Sequence, residues 1–496
     1  MYIRGVRNRS LGVWIVLGLA CVSSVLVAVR SEADEAEGLV FWTFAKPHAE
    51  MYRPLIAERN ERTDPDVSMQ QLALAVVEQR MLGGFFAGVP TADLIEVERG
   101  IAGRAFTGPI ESVGFTDLTD RLRAEGLIDA VNPASFGPWT RDGHIFGIPH
   151  DVHPVMLGYR RDLIEASGVD TAAFEAIETW DDFARTLAPL RADLDGDGDI
   201  DRYPLAFWPT DLDKVDLLLL QGGGQLFDET GALTLATETN ARLLARMVSW
   251  CVGPDRIACE VPDFSMSGNK LKEDGYAVCY FFPDWMCDVW NKEVASLSGK
   301  MRLMPLPAWE PGGRRTSVWG GTMLAIPKTA PDFEACWAFA KYLYFSDELA
   351  RELYRTGDII TPVRAHWADP VYDEPDPYFG GQAKGRMYIE LAPHIPPRSS
   401  SPYARRAIER LGDAGMRTLR TAQQRGVHTP DDLLPIAMAS LERAHAEVAR
   451  QMARTAVFRD GPGDPVPSGA PAPPGAPPAP QAPETEIRPL NPEGDN

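Results

Sequence analysis

Gly38-Leu-Val-Phe-Trp-Thr-Phe44 is a short apolar and aromatic run that reads as a strand, and Ala49–Asn60 behind it reads as a helix. The pattern then repeats: Leu72–Leu74 as strand, Val76–Ala87 as helix, Asp93-Leu-Ile-Glu-Val97 as strand. Strands that return after each helix are the signature of parallel α/β sheets. The alternation continues through Val155–Arg160 (strand), Trp180–Leu190 (helix) and Ala277–Phe281 (strand). From Tyr403 to Arg454 it gives way to Ala-, Leu-, Arg- and Glu-rich helical sequence. Strands recurring over some four hundred residues favour two interleaved α/β lobes over sequential domains.

Outward from that core, the ends behave differently. Arg4, Arg7 and Arg9 precede a nineteen-residue apolar run, Leu11–Val29, which at about 1.5 Å per residue spans roughly 28 Å. A basic flank before an apolar run directs export, so residues 1–30 read as a signal peptide or signal anchor, and the protein as periplasmic or extracytoplasmic. Cleavage after Ser31-Glu-Ala33 and acylation at Cys21 are the alternatives to an uncleaved anchor over 11–29. The stretch 459–496 holds 12 prolines in 38 residues and reads as a disordered, extended tail.

The whole chain has 496 residues, with 49 Lys plus Arg against 70 Asp plus Glu, a net charge of −21. Such a balance argues against nucleic-acid or anionic-membrane binding, which need cationic faces. Outside the cytoplasm thiols pair. Cys251 and Cys259 bracket a Val-Gly-Pro-Asp turn and are the expected disulfide; Cys279 and Cys287 bracket Pro283-Asp284 similarly. There is no CxxC pair, no nucleophile elbow, no HExxH helix, and no Lys-Ser/Thr after Gly222-Gly-Gly224, so no catalytic residue is named and no enzyme is expected.

Several collinear segments then point to one family. Asp142-Gly-His-Ile-Phe-Gly-Ile-Pro-His-Asp151, Leu157-Gly-Tyr-Arg-Arg-Asp-Leu163 and Thr179-Trp-Asp-Asp-Phe183 lead the set. Ala92-Asp93-Leu-Ile, Phe227-Asp, Pro283-Asp-Trp285, Trp319-Gly-Gly321 before Leu324-Ala-Ile-Pro327, Ala335-Cys-Trp337 and Gly357–Pro362 agree in order. Together, over about residues 38–375, they resemble the extracellular solute-binding proteins, family 1, the maltose-binding-protein-like subunits of bacterial ABC importers. Arg160 departs from the Asn of the family pattern, and 380–458 matches poorly.

The resemblance implies a type II periplasmic-binding-protein fold with a hinge and extra C-terminal helices. Its first lobe would be 38–150 plus 320–365 and its second 151–319 plus 366–458. Crossings would fall near Pro149–Val155, near Val318–Gly321 and after Ile360. The function implied is capture of a carbohydrate or related polyol by hinge closure and delivery to a membrane permease, by a monomer without organic cofactor. An exported glycoside hydrolase and a membrane-tethered sensor are the alternatives. Sugars need aromatic platforms and polar hydrogen-bonders at strand ends. The candidates are Trp42 and Phe44 after the first strand, Glu96 after the third, and His150 and Asp151 after the Gly-Ile-Pro turn. Trp208, Asp284, Trp285 and Trp319 follow from the second lobe, with Arg364 from the late segment. Trp285 leads.

Asp193-Leu-Asp195-Gly-Asp197-Gly-Asp199-Ile-Asp201 is a separate motif. Carboxylates at alternate positions with Gly at position six match the start of a calcium loop, although Pro204 stands where the closing Glu belongs. Some members of the resembled family carry a similar loop. Structural Ca2+ is the expectation, with all five aspartates as ligands.

Overall fold

A computed structural model describes residues 38–459. The signal or anchor segment, Cys21 and the Pro-rich tail lie outside the described residues. The first lobe is built on β1 (Leu39–Thr43), β2 (Val67–Gln71), β3 (Leu94–Glu98), β4 (Ile148–Pro149) and β10 (Thr322–Ala325), in the order β2-β1-β3-β10-β4. β1 pairs in parallel with β2 and β3, while β10 runs antiparallel between β3 and β4. Helices α1 (Lys46–Asn60), α2 (Leu74–Ala87) and α3 (Arg99–Ala105) follow the first three strands. β2 forms five residues earlier than its apolar run suggests, on Val-Ser-Met-Gln-Gln. It is an edge strand with one buried residue, so it needs little apolar sequence.

The second lobe has β5 (Val155–Arg160), β6 (Tyr203–Ala206), β7 (Ala258–Cys259), β8 (Ala277–Pro283) and β9 (Met301–Pro305), in the order β9-β5-β8-β6-β7. β5 and β8 are buried at every position, matching their unbroken apolar sequence. Helix α4 (Trp180–Leu187) starts at a reciprocal capping box, with Thr179 and Asp182 bonding each other's backbone N–H. Helices α5 (Leu212–Gln221), α6 (Glu238–Ser249) and α7 (Asp284–Glu293) complete the lobe. Helices α8 (Phe333–Tyr344) and α9 (Asp347–Gly357) lead out of β10 in the first lobe. At the end of the chain, α10 (Ala404–Arg425) and α11 (Pro430–Arg459) pack on each other and on α6.

Because β10 comes from residues 322–325 yet sits inside the first sheet, the chain must return from the second lobe. It passes from β4 to β5 through 150–154 and from β9 to β10 through 306–321, and extended backbone at Ile359–Val363 follows α9. Among the described residues no helix is long and apolar enough to cross a membrane.

One covalent expectation is corrected. Cys251 and Cys259 are free, buried thiols, not a disulfide. The Cys251 Sγ turns to the Met247 carbonyl within its own helical turn, and the Cys259 Sγ to the Leu205 carbonyl of the adjacent strand. Burial pushes both thiols up, Cys259 to about 12.

Trp180 is the centre of the second-lobe core. It is fully buried, donates its indole N–H to Gln221 at 3.0 Å, and is ringed by Phe183, Trp250, Phe281 and Trp309. Trp180→Ala should cost about 3–5 kcal/mol of stability in a denaturant titration. A loss below about 1 kcal/mol would show that the lobe does not depend on this cluster.

Candidate functional site

The crossings are tied together by buried charge. His153, at φ +54° in the left-handed region, stands in the first crossing. Its Nδ1 is 2.7 Å from Asp284 Oδ1 and its Nε2 is 3.0 Å from Asp151 Oδ2. Asp284 opens α7 and also accepts the Ile360 N–H at 2.7 Å and the Trp285 N–H at 2.9 Å. Asp151 accepts the Thr322 N–H at 3.1 Å. One imidazole thus links the 150–154 crossing, the start of β10, the Ile359–Val363 segment and the first turn of α7. Burial opposes the positive charge, but Asp151 and Asp284 raise His153 to about 10. The Asp151 carboxyl is correspondingly held below the usual range, against the push of burial.

A cleft lies between the lobes in front of this clamp. One cavity of about 1050 Å³ is bounded by Thr107–Pro109 and Arg141–Gly143 of the first lobe and Asp228–Gly231 of the second. A smaller one of about 480 Å³ lies between Glu98–Ile101 and Leu212–Asp216. Arg99 spans the gap, with Asp216 at 3.2 Å and Asp213 at 3.4 Å, while its backbone N–H reaches the Gly321 carbonyl. Glu98 caps α3 through the Gly100 N–H at 2.6 Å, and burial raises its carboxyl despite Arg99. Burial likewise raises Asp213, opposed by Arg99.

Residues 392–403 form a strap whose Pro397–Ser401 portion lines both cavities. Asn132 of the first lobe donates to the Ala392 carbonyl at 3.3 Å, and Ser399 donates to the Phe227 carbonyl of the second at 2.9 Å. Arg398 donates to the Gly320 carbonyl at 2.6 Å. Its burial, with the charge of Arg99 beside it, lowers the guanidinium to about 9. The strap lies so close that a Cβ at Gly137 would overlap the Arg398 carbonyl, and one at Gly103 that of Ser401.

The ten sequence candidates separate into three places. Asp151, Asp284, Trp285 and Trp319 meet at the hinge. Half-buried Trp285 donates its indole N–H to the Trp319 carbonyl at 3.0 Å and stands edge-on to the Trp319 ring at 5.6 Å. On its other side it stacks with exposed Phe264 at 6.1 Å and 15°. Glu96 and His150 lie inside the first lobe. Glu96 is within β3 rather than after it, fully buried, and satisfied by Thr43, His48, Tyr52 and Tyr344. That satisfied carboxylate lines neither cavity, a correction to the sequence reading. The remaining four do not reach the cleft either. Trp42 packs in the first-lobe core under Arg80, with Phe44 at its margin. Trp208 packs against the second-lobe core, and Arg364 donates to the Asp129 carbonyl.

Glu98, Arg99, Asp213, Asp216 and Arg398 were not read from the sequence. Glu98-Arg99 does stand at a strand end, the position where α/β sheets bind ligands. No local signal marks Arg398, whose role depends on the strap reaching back across the molecule.

In the acidic loop, Asp193, Asp195 and Asp197 are exposed, and their ligand oxygens lie within 4.8 Å of one another. Asp201 instead accepts the Leu194 N–H at 2.8 Å, closing the loop. Three of the five aspartates converge, a donor set of hard oxygens that fits a calcium ion.

Two lobes, three connections and a cleft between them define a binding protein that closes on a solute. Residues 46–250 match the family described as bacterial extracellular solute-binding protein. The chain is 25% identical over 427 residues to the arabinooligosaccharide-binding protein of Halalkalibacterium halodurans, covering 82% of this chain and 90% of that one. It is 22% identical over 361 residues to the lactose-binding protein of Rhizobium radiobacter, covering 68% and 78%. The solved structure of the sugar-binding protein MalE from Xanthomonas citri superposes with a TM-score of 0.66 at 16% identity, over 86% of this chain and 100% of that one. The B. animalis subsp. lactis binding protein in complex with beta-1,6-galactobiose does so with 0.60 at 18%, over 84% and 98%. By these matches the chain resembles the extracellular solute-binding proteins, binding proteins that work outside the cytoplasm.

Two consequences of this geometry are measurable. The folded pKa of His153 is raised from 6.5 to about 10, so its contribution to stability is fully present below about pH 6.5 and is lost as pH rises through about 10. Unfolding free energies of wild type minus His153→Gln should therefore fall across that window; a flat difference would mean the imidazole is neutral in the clamp. Arg99→Ala should weaken the contact between lobes by about 1–3 kcal/mol and enlarge the solute-free radius of gyration in X-ray scattering. An unchanged radius would mean that the strap alone holds the lobes together.

Proposed function

We propose that this protein is the substrate-binding component of an ABC importer that captures a carbohydrate outside the cytoplasmic membrane, closes on it about the hinge and presents it to a permease. The cleft bounded by two lobes and lined by the strap is the observation that carries the reading. It offers what a sugar requires: polar groups and backbone around the ring hydroxyls, and an aromatic face for the C–H surface. Trp285, stacked with exposed Phe264 and braced by Trp319 at the hinge, is the aromatic face this reading assigns to the solute. The curated relatives named for arabino-oligosaccharides and lactose favour an oligosaccharide over a monosaccharide, and a cavity of about 1050 Å³ accommodates one. The protein acts as a monomer, without turnover of its ligand. A calcium ion held by Asp193, Asp195 and Asp197 stabilises the second lobe and does not touch solute.

Titration calorimetry with arabino-oligosaccharides, lactose and maltodextrins should give saturable one-to-one binding with no released monosaccharide. Hydrolysis would move the protein to the exported glycosidases, and silence from every saccharide would overturn the assignment. Trp285→Ala should weaken binding by roughly thirtyfold, about 2 kcal/mol, with its melting curve little changed. Calcium should raise the wild-type melting temperature but not that of Asp195→Ala/Asp197→Ala; a wild type indifferent to calcium reduces the loop to a solvated acidic turn.

A further inference from the structure

Inside the first lobe, away from the cleft, His48 on α1, Glu96 on β3 and His150 at the start of the first crossing present three ligand atoms within 4.8 Å of one another. All three residues are buried, at 8%, 0% and 2% exposure. The rings of His48 and His150 lie 4.4 Å apart between centroids, and His48 Nδ1 is 3.0 Å from Glu96 Oε1.

Two features of this cluster are unusual for a core that serves packing alone. The first is charge. Glu96 is a carboxylate in the interior whose hydrogen-bond partners are Thr43, His48, Tyr52 and Tyr344, with no lysine or arginine among them. A buried anion needs a compensating cation. The second feature is His150. Its Nδ1 is 3.2 Å from Asp151 Oδ2, which places the ring proton on Nδ1 and leaves a bare lone pair on Nε2. That Nε2 is buried and has no hydrogen-bond partner. An imidazole ordered by a carboxylate on one nitrogen, with the opposite nitrogen bare, is the arrangement of a metal-ligating histidine.

We propose that His48, Glu96 and His150 form a binding site for one divalent transition ion of the zinc class, distinct from the solute cleft and from the Asp193 loop. Two neutral imidazoles and a carboxylate suit zinc rather than calcium or magnesium. Ligand distances of about 2.0–2.2 Å draw the three side chains inward by small χ rotations. The phenol groups of Tyr52 and Tyr344 then remain on the carboxylate as its outer hydrogen bonds. His48, the least buried of the three, is the way in. Because His150 is held by Asp151, which also receives His153, the ion would brace the first-lobe end of the hinge clamp.

The full chain is tested in the Asp195→Ala/Asp197→Ala background, so that the acidic loop does not compete. After removal of metals with EDTA, Zn2+ and Co2+ are titrated. One equivalent should bind and raise the melting temperature, and Co2+ should give the visible absorption of a tetrahedral nitrogen–oxygen site. His150→Gln and His48→Gln should each lower Zn2+ affinity by at least tenfold. Melting in EDTA shows that each variant is folded; His48→Gln, at the rim, keeps the test valid where His150→Gln loosens the hinge. Absence of binding by the parent chain, or unchanged affinity in either folded variant, overturns the proposal.

Discussion

The His153 imidazole between Asp151 and Asp284 is the constraint on which the rest of the structure depends. Two carboxylates in the interior repel each other, and each would be costly to bury alone. A cation between them turns that cost into a joint. The same two carboxylates also accept backbone N–H groups from Thr322, Ile360 and Trp285. Strand β10, the Ile359–Val363 segment and helix α7 are thereby referred to one point. A hinge built in this way can let lobes rotate while the connecting backbone keeps its hydrogen bonds. The left-handed backbone of His153 itself is a local strain that only such a surrounding network maintains.

The cleft is shaped by what lies in front of that joint. Arg99 reaches from the first lobe to Asp213 and buried Asp216 of the second, a contact worth only about 1–3 kcal/mol. That suits a contact that has to open. The strap adds backbone and side-chain bonds to both lobes, and its Arg398 occupies the floor beside Gly320. The wall of the larger cavity is polar on both lobes, with Arg141 and Asp142 on one side and Asp228 and Glu229 on the other. The interior of the first lobe, with Glu96 and its histidines, is a separate polar centre sealed from this space.

Much of this was legible in the sequence. The alternation over 38–97, the helix from Trp180, the strands Val155–Arg160 and Ala277–Phe281, and the helical stretch from Tyr403 are local consequences of periodicity, so the residues concerned announce themselves. Edge strand β2 did not, because a strand with one buried residue needs no apolar run. The disulfide reading failed for a related reason: closeness along the chain says nothing about where two thiols turn, and each found a carbonyl of its own.

For the site, the sequence determined the residue types and the strand ends from which they project. It pointed to Asp151, Asp284, Trp285 and Trp319, which do gather at the hinge. It could not distinguish Glu96 from Glu98, two residues apart on one strand, because which carboxylate is sealed inside and which caps a helix at the cleft depends on where β3 ends against Gly321. Nor could it place Arg398, nearly three hundred residues beyond Arg99, on the same cleft floor. Local propensity and pattern are carried by neighbours in the chain and can be read there. The pairing of buried charges is carried by neighbours in space, and only the tertiary structure decides it.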